Sequence, residues 1–248
     1  MAGVELHRRI LENTRTDGTD QDHLDVLHLS QSRLVGDRTD FLEGVDVPDP
    51  VEGMLEVFRF AGAALATSGR PAVAGVPCNT FHAPALFARF LSAVDTDLPG
   101  ITVLHMIHET VETIARDYPG VSRVGVLSTT GTRNSGVYRD ALQRAGYEYL
   151  AIPEQDQPLL HEAIYHREWG LKAVSPPEER AAERVRRYAR VLARQGAEVI
   201  IPGCTELPLV LSGPSCAGVP CVEPMTILAR ALIRECAPEK LVRGPRSL

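Results

Sequence analysis

Two thiols stand in matching surroundings, and their chemistry frames the rest of the chain. Cys78 lies in Val76-Pro77-Cys78-Asn79-Thr80, and Cys204 in Ile201-Pro202-Gly203-Cys204-Thr205-Glu206. Each follows an apolar run of strand length, and hydroxyl, amide or carboxyl side chains come directly after it. A thiol gives up a proton when neutral and takes one when ionised, so a pair can act as acid and base on opposite sides of one carbon. The repeated setting predicts two similar lobes that present the two thiols to one cleft. At strand-to-helix junctions, backbone N–H groups and the helix N-terminus favour the thiolate. The alternative for either residue is a small buried hydrophobe at a strand end.

The elements that must hold these residues follow from periodicity. Helices are predicted over 3–12, 53–68, 81–94, 108–116, 136–145 and 226–236, with one more opening at Ser175-Pro176-Pro177-Glu178 and ending at Gly196. Strand-like runs occupy 23–30, 71–76, 101–107, 123–127, 147–152, 199–201 and 219–222. Strands alternating with helices predict an α/β chain built from βαβ units with parallel sheets. The pattern restarts near residue 121. Two lobes are therefore expected, 1–107 plus 222–248 carrying Cys78, and 108–221 carrying Cys204. Ligands of open α/β sheets bind beyond the carboxyl ends of strands. Cys78, Cys204, the loop after Ser30 and the loop at Thr129 all fall at such ends. The tail after Pro238 is expected to be loose.

Composition narrows the class. The chain has 248 residues, 44% of them hydrophobic and 23% charged, with a formal net charge of -6. That is the profile of an ordinary globular protein. With no basic block, nucleic acid is not an expected partner. No apolar run reaches the ~18 residues that span a bilayer. The N-terminal residues lack an apolar leader core, so the expected location is the cytoplasm. Five cysteines without framework spacing are expected to be free thiols. Cys216 and Cys221 lack a matching Cys or His pair, which argues against zinc, and Cys236 falls in a helix.

Other motifs are less specific. Thr129-Thr130-Gly131-Thr132 before a helix is either a plain cap or a seat for a carboxylate. It lacks the Gly-x-x-x-x-Gly-Lys pattern of a phosphate loop. His105 and His108, at a strand-to-helix junction, are not expected to share a face, so they read as core or cleft wall and not as metal ligands.

Taken together, these residues resemble the aspartate/glutamate racemase family, and most closely its aspartate racemase branch. The resemblance rests on Pro77-Cys78-Asn79-Thr80-Phe81-His82 and Gly203-Cys204-Thr205-Glu206-Leu207-Pro208. Asp20–His23, Gly36–Thr39, Leu104–Ile107, Gly125–Thr132 and Val222–Pro224 add support. The resemblance implies two pseudosymmetric α/β lobes, each a short, mostly parallel sheet flanked by helices, with the active site in the cleft between them. It implies a homodimer, no cofactor and no metal, and a small acidic amino acid as substrate. Cys78 and Cys204 match the pair that exchanges the α-proton. Arg38 and Lys172 match the cations that handle a substrate carboxylate. Asn79, Thr80, Thr130, Gly131, Thr132, Thr205 and Glu206 complete the expected substrate-binding set, whose donors stabilise charge developing in the reaction. In that family a strand and a Gly-rich turn precede the helix that starts here at Gly3. The expectation is thus either a start upstream of this one or a first sheet short of a strand. The expected activity is interconversion of L- and D-aspartate or glutamate. The alternatives are an isomerase or racemase of another small acid or a hydantoin, or a non-catalytic carboxylate-binding protein.

Overall fold

The structure is a computed structural model that describes residues 2–242 and residue 244. It is a mixed α/β chain of short parallel sheets flanked by helices. Its contacts divide it into two compact units, one running to Glu109 and resuming at Met225, the other spanning Thr110–Pro224.

The first unit opens with α1 (Ala2–Asn13) and the short α2 (Arg38–Leu42), which Asp37 caps by accepting the Thr39 and Asp40 amides. Helix α3 (Pro50–Ser68) begins under Asp49, with proline in its first turn, and stops at Gly69 in the left-handed conformation. Strand β1 (Ala72–Gly75) pairs in parallel with β2 (Ile101–Leu104), and α4 (Pro84–Asp97) crosses between them. Phe58, Phe81 and Phe90 fill the core in edge-to-face contacts, with ring centroids 4.8 and 5.2 Å apart. Helix α5 (Met106–Asp117) starts in this unit.

The second unit is a three-stranded parallel sheet in the order β4-β3-β5. Its strands are β3 (Arg123–Ser128), β4 (Glu148–Leu150) and β5 (Val199–Gly203). Strand β5 is buried along its whole length. Helices α6 (Thr130–Asn134), α7 (Val137–Arg144), α8 (Gln157–Tyr165) and α9 (Glu179–Arg194) surround the sheet. Ala181, Val185, Tyr188 and Leu192 of α9 recur at helical spacing and pack into one core with Ile200 and Leu127. A hairpin of β6 (Ser215–Cys216) and β7 (Val219–Pro220) follows, and α10 (Pro224–Cys236) returns the chain to the first unit.

Several expectations are corrected. Residues 23–30 form no strand and have no ladder partner among the described residues. Strand β2 ends at Leu104, because the chain turns into α5 at Met106. Helix α4 begins at Pro84 and not at Phe81; Thr80–His82 form a separate 3₁₀ turn, since Ala83 before the proline is held extended. Two prolines likewise delay α9 to Glu179, with Glu178 and not Ser175 at its cap. Cys216 and Cys221 are joined in a disulfide rather than free. The tight turn through Ala217 and Gly218, both at positive φ, folds the hairpin back and brings their Cα atoms within 5.2 Å. The chain after Pro238 is tied down as far as it is described: Leu241 bridges Thr14, and the Val242 amide donates to the Asn13 carbonyl at 3.0 Å. Residues 243 and 245–248 of that tail lie outside the described residues.

Candidate active-site residues

Cys204 sits directly after β5, in buried surroundings. Gly203 before it is closely packed: a Cβ there would lie 3.0 Å from both the Leu127 carbonyl oxygen and Tyr138 Cε2, tighter than an ordinary contact. The close fit fixes the direction in which the chain delivers the thiol. Cys204 Sγ–H donates to Glu206 Oε2 at 3.0 Å, and Thr205 Oγ1 donates to the same oxygen at 3.1 Å. Lys172 Nζ donates to the other oxygen of Glu206 at 3.2 Å. Lys172 also lies over the Tyr165 ring, 5.0 Å from its centroid, and Tyr165 stacks on His161 at 4.5 Å. Lys172, Cys204, Thr205 and Glu206 therefore form one connected group.

Its electrostatics are lopsided. Burial pushes the Cys204 thiol well above its ordinary range, and the Glu206 carboxylate adds to the rise, while Lys172 opposes it. Burial pushes Glu206 up too, but the Lys172 charge and three side-chain hydrogen bonds more than offset that and hold it below its ordinary value. The group at neutral pH is a protonated thiol donating to an ionised carboxylate. The sequence-based expectation of a stabilised thiolate is thus reversed at Cys204. The physical reason is burial, with the Glu206 carboxylate adding to it; a 3₁₀ turn, Leu207–Leu209, and not an α-helix follows the thiol. No α-helix N-terminus compensates for the burial.

Thr130, Gly131 and Thr132 form the first turn of α6, next to this group in the sheet. Ser128 at the end of β3 is in register with Gly203. Thr129 caps the turn, accepting the Thr132 amide at 3.3 Å and sharing a hydroxyl–hydroxyl contact of 3.1 Å with Thr132. The Thr130 amide donates to His161 Nδ1 at 3.2 Å. Gln157 donates to the Ser128 carbonyl at 2.9 Å, and Arg133 donates to Gln157 and to the Ile152 carbonyl.

Cys78 belongs to the other unit, past the end of β1, and is partly exposed. Asn79 and Thr80 are buried in the turn that follows it. His82 secures that turn: its Nδ1–H donates to the Cys78 carbonyl at 2.9 Å. Complete burial pushes His82 down to about 4, so the ring is neutral at physiological pH. Arg38, at the start of α2, donates to the Gly36 carbonyl at 3.2 Å and borders the same cavity as Cys78. A Cβ at Gly36 would lie 1.9 Å from the Pro48 carbonyl oxygen, so the Gly36-Asp37-Arg38 turn requires glycine.

The sequence reading assigned no role to His82, His161 or Tyr165. His82 follows Cys78 by four residues, and His161 and Tyr165 are four apart on α8; that spacing places a helical pair on one face. The expectation that His105 and His108 do not share a face is corrected, because their rings stack with centroids 3.7 Å apart. No cluster able to hold a metal ion occurs among the described residues. None of the described helices is long and apolar enough to cross a membrane.

The chain matches the Asp/Glu/Hydantoin racemase family over residues 1–232. It is similar to the aspartate racemase of Picrophilus torridus, with a TM-score of 0.73 and 23% identity, covering 94% of this chain and 88% of that one. An aspartate racemase homologue from Pyrococcus horikoshii OT3 gives a TM-score of 0.64 at 22% identity, covering 94% and 93%. The glutamate racemase of Francisella tularensis gives 0.53 at 13%, covering 99% and 81%. Among curated proteins, an uncharacterized protein in the pnlA 3' region of Pectobacterium carotovorum is 32% identical over 99 residues, covering 38% of this chain. The chain spans about 59% of the length of that relative. The structural likenesses show the fold, and the match over nearly the whole chain establishes that the protein belongs to the Asp/Glu/Hydantoin racemase family.

Proposed function

We propose that the protein is a cofactor-independent racemase of acidic amino acids, interconverting L- and D-aspartate or glutamate by two-base proton transfer through Cys78 and Cys204. The observation that carries this reading is the placement of Cys204 Sγ 3.0 Å from Glu206 Oε2, a geometry in which a protonated thiol donates to an ionised carboxylate. A thiol in that state is ready to give a proton to a carbanion. In the reverse direction it must lose the proton first, and Glu206 is positioned to take it. Cys78 supplies the opposite function on the other face of the α-carbon: it removes the proton in one direction and returns it in the other.

The remaining groups act on charge. Arg38 suits bidentate pairing with the substrate's side-chain carboxylate. Asn79, Thr80 and Thr205 are hydrogen-bond donors for the α-carboxylate, whose negative charge grows as the α-proton leaves. Thr130, Gly131 and Thr132, which follow the strand adjacent to β5, are assigned to the same substrate-binding set. Lys172 fixes the ionisation of Glu206 and through it the protonation state of Cys204. The working enzyme is proposed to be a homodimer in the cytoplasm.

The test is α-proton exchange in D2O with L- and D-aspartate and with L- and D-glutamate. Solvent deuterium should enter the product α-position, and Cys78→Ala and Cys204→Ala should each abolish racemisation. Racemisation by either variant would exclude the two-thiol mechanism. Saturable binding without exchange would make the protein a carboxylate binder.

A further inference from the structure

Lysine is rare in this chain. Of its 26 Lys and Arg residues, two are lysine, Lys172 and Lys240. Lys240 pairs with Asp22 in the first unit. Lys172, in the second, donates to Glu206 Oε1 at 3.2 Å, while Glu206 Oε2 accepts from Cys204 and Thr205. The two oxygens thus have separate duties. An ammonium is a compact charge that can hold one of them. The planar fork of an arginine favours both oxygens at once and would compete with the thiol for Oε2. A chain that otherwise relies on arginine has lysine at the position where a contact to a single oxygen is needed.

An ammonium on a flexible four-carbon stem needs a seat to stay in one place. Lys172 has one. Its backbone amide donates to the Ile164 carbonyl at 3.1 Å, so the chain after α8 folds back onto the helix end beside Tyr165. Nζ lies over the Tyr165 ring, 5.0 Å from the centroid and within the ~6 Å reach of a cation–π contact. Tyr165 stacks on His161, with the planes 7° apart and the centroids 4.5 Å apart. His161 is anchored in turn, because the Thr130 amide of α6 donates to its Nδ1 at 3.2 Å. A nitrogen that accepts carries no proton, so the ring proton is on Nε2 and the ring is neutral. An imidazolium at that place would repel the Lys172 ammonium. The other titratable groups around Cys204 are Tyr138 of α7, which burial keeps neutral, and Glu223, whose charge acts on Tyr138. Neither supplies a cation.

We infer that Tyr165 and His161 are positioning residues for Cys204: their stacked rings seat the Lys172 ammonium on one oxygen of Glu206 and leave the other oxygen to the thiol. The role rests on the reading of Cys204 as a proton-transfer residue, and it requires no contact of either ring with the thiol. What matters in Tyr165 is the face of the ring and not its hydroxyl, since the cation meets the face. What matters in His161 is a flat, neutral ring held by an amide. Loss of either ring frees Lys172 to turn into water. Glu206 then faces Cys204 without its cation, and the thiolate becomes harder to form.

Alkylation of Cys204 by iodoacetamide in alkaline buffer, mapped by mass spectrometry, reads the thiolate without turnover. Lys172→Met should slow it about tenfold, the effect of losing one nearby cation. Tyr165→Leu and His161→Leu should each slow it about threefold or more, and Tyr165→Phe should restore the wild-type rate. In a Lys172→Met background, Tyr165→Leu should have no further effect, because its influence passes through the ammonium. Should the leucine variants fail to fold, proton–carbon NMR of the wild-type protein with labelled lysine gives the answer. One ε-methylene signal is expected from each lysine, and the one removed by Lys172→Met should lie upfield of the other through the ring current of Tyr165. The seat is refuted if Tyr165→Phe is as slow as Tyr165→Leu, if the effects of Tyr165→Leu and Lys172→Met multiply, or if both lysine signals fall together. Deuterium exchange into aspartate and glutamate is the separate measure of the reaction. Its absence in a wild type that shows the alkylation pattern would remove the racemase reading and leave the seat standing.

Discussion

Lys172→Met tests how the group around Cys204 is held. The Lys172 ammonium lies 3.2 Å from Glu206, whose side chain is 11% exposed, against 31% for Lys172. Removing one partner of a fully buried pair costs about 3–5 kcal/mol, and of an exposed pair ~0–1 kcal/mol. This pair lies between those limits, so the loss at neutral pH is expected to be about 2 kcal/mol. The pH dependence carries the sign. Glu206 is held below its ordinary value of 4.5 in the folded state, so its contribution is fully present above that pH. It is lost as the pH falls through the folded value. The stability difference between wild type and Lys172→Met should therefore be greatest above pH 4.5 and shrink in more acidic solution. Urea denaturation across that range measures it. Glu206→Gln and the double variant complete a cycle, with an expected coupling of at least ~1 kcal/mol because the two groups are in contact. A difference that stays constant with pH, or a coupling below ~0.3 kcal/mol, would refute the pairing as the source of Glu206's ionisation.

Three further outcomes follow from other parts of the molecule. His82 is pushed down to about 4 by burial, so it stabilises the fold fully above its ordinary 6.5 and loses that contribution as the pH falls toward 4; NMR should find the ring neutral at pH 5.5, and His82→Phe should remove that slope while leaving the Cys78 carbonyl short of a donor, at about 1–3 kcal/mol. Glu198 is held down to about 2 by the Ser122 and Arg123 amides; Glu198→Gln should flatten the loss of stability between pH 4.5 and 2 seen in acid titration by circular dichroism. Phe90→Ala empties a fully buried position that touches Phe58 and Phe81, and chemical denaturation should register a loss of about 3–5 kcal/mol.

The pair of thiols was legible because chemistry-bearing residue types follow apolar runs at two places, and the runs themselves were legible because β5 and α9 bury faces that match their periods. Residues 23–30 show where that reasoning stops. Their apolar composition reads as a strand, yet a strand exists only when a neighbour takes its hydrogen bonds, and none is supplied. The Cys216–Cys221 bond escaped for a related reason: a turn through Ala217 and Gly218 brings the two together, and cysteine spacing does not encode turn geometry.

The sequence by itself determined the α/β class, the strand-end placement of Cys78 and Cys204, and most of the helices, because these depend on local periodicity and on the residues adjoining each element. Only the tertiary structure decided the protonation of Cys204. That state depends on how deeply the thiol is buried and on the distances to Glu206 and Lys172, the latter 32 positions before the cysteine in the chain. The tertiary structure also decided that β1 pairs with β2 and, among the described residues, with no other strand, since strand pairing is settled by neighbours distant in sequence. Local pattern sets what each segment is able to form; long-range contacts set the charge state and the partner it has.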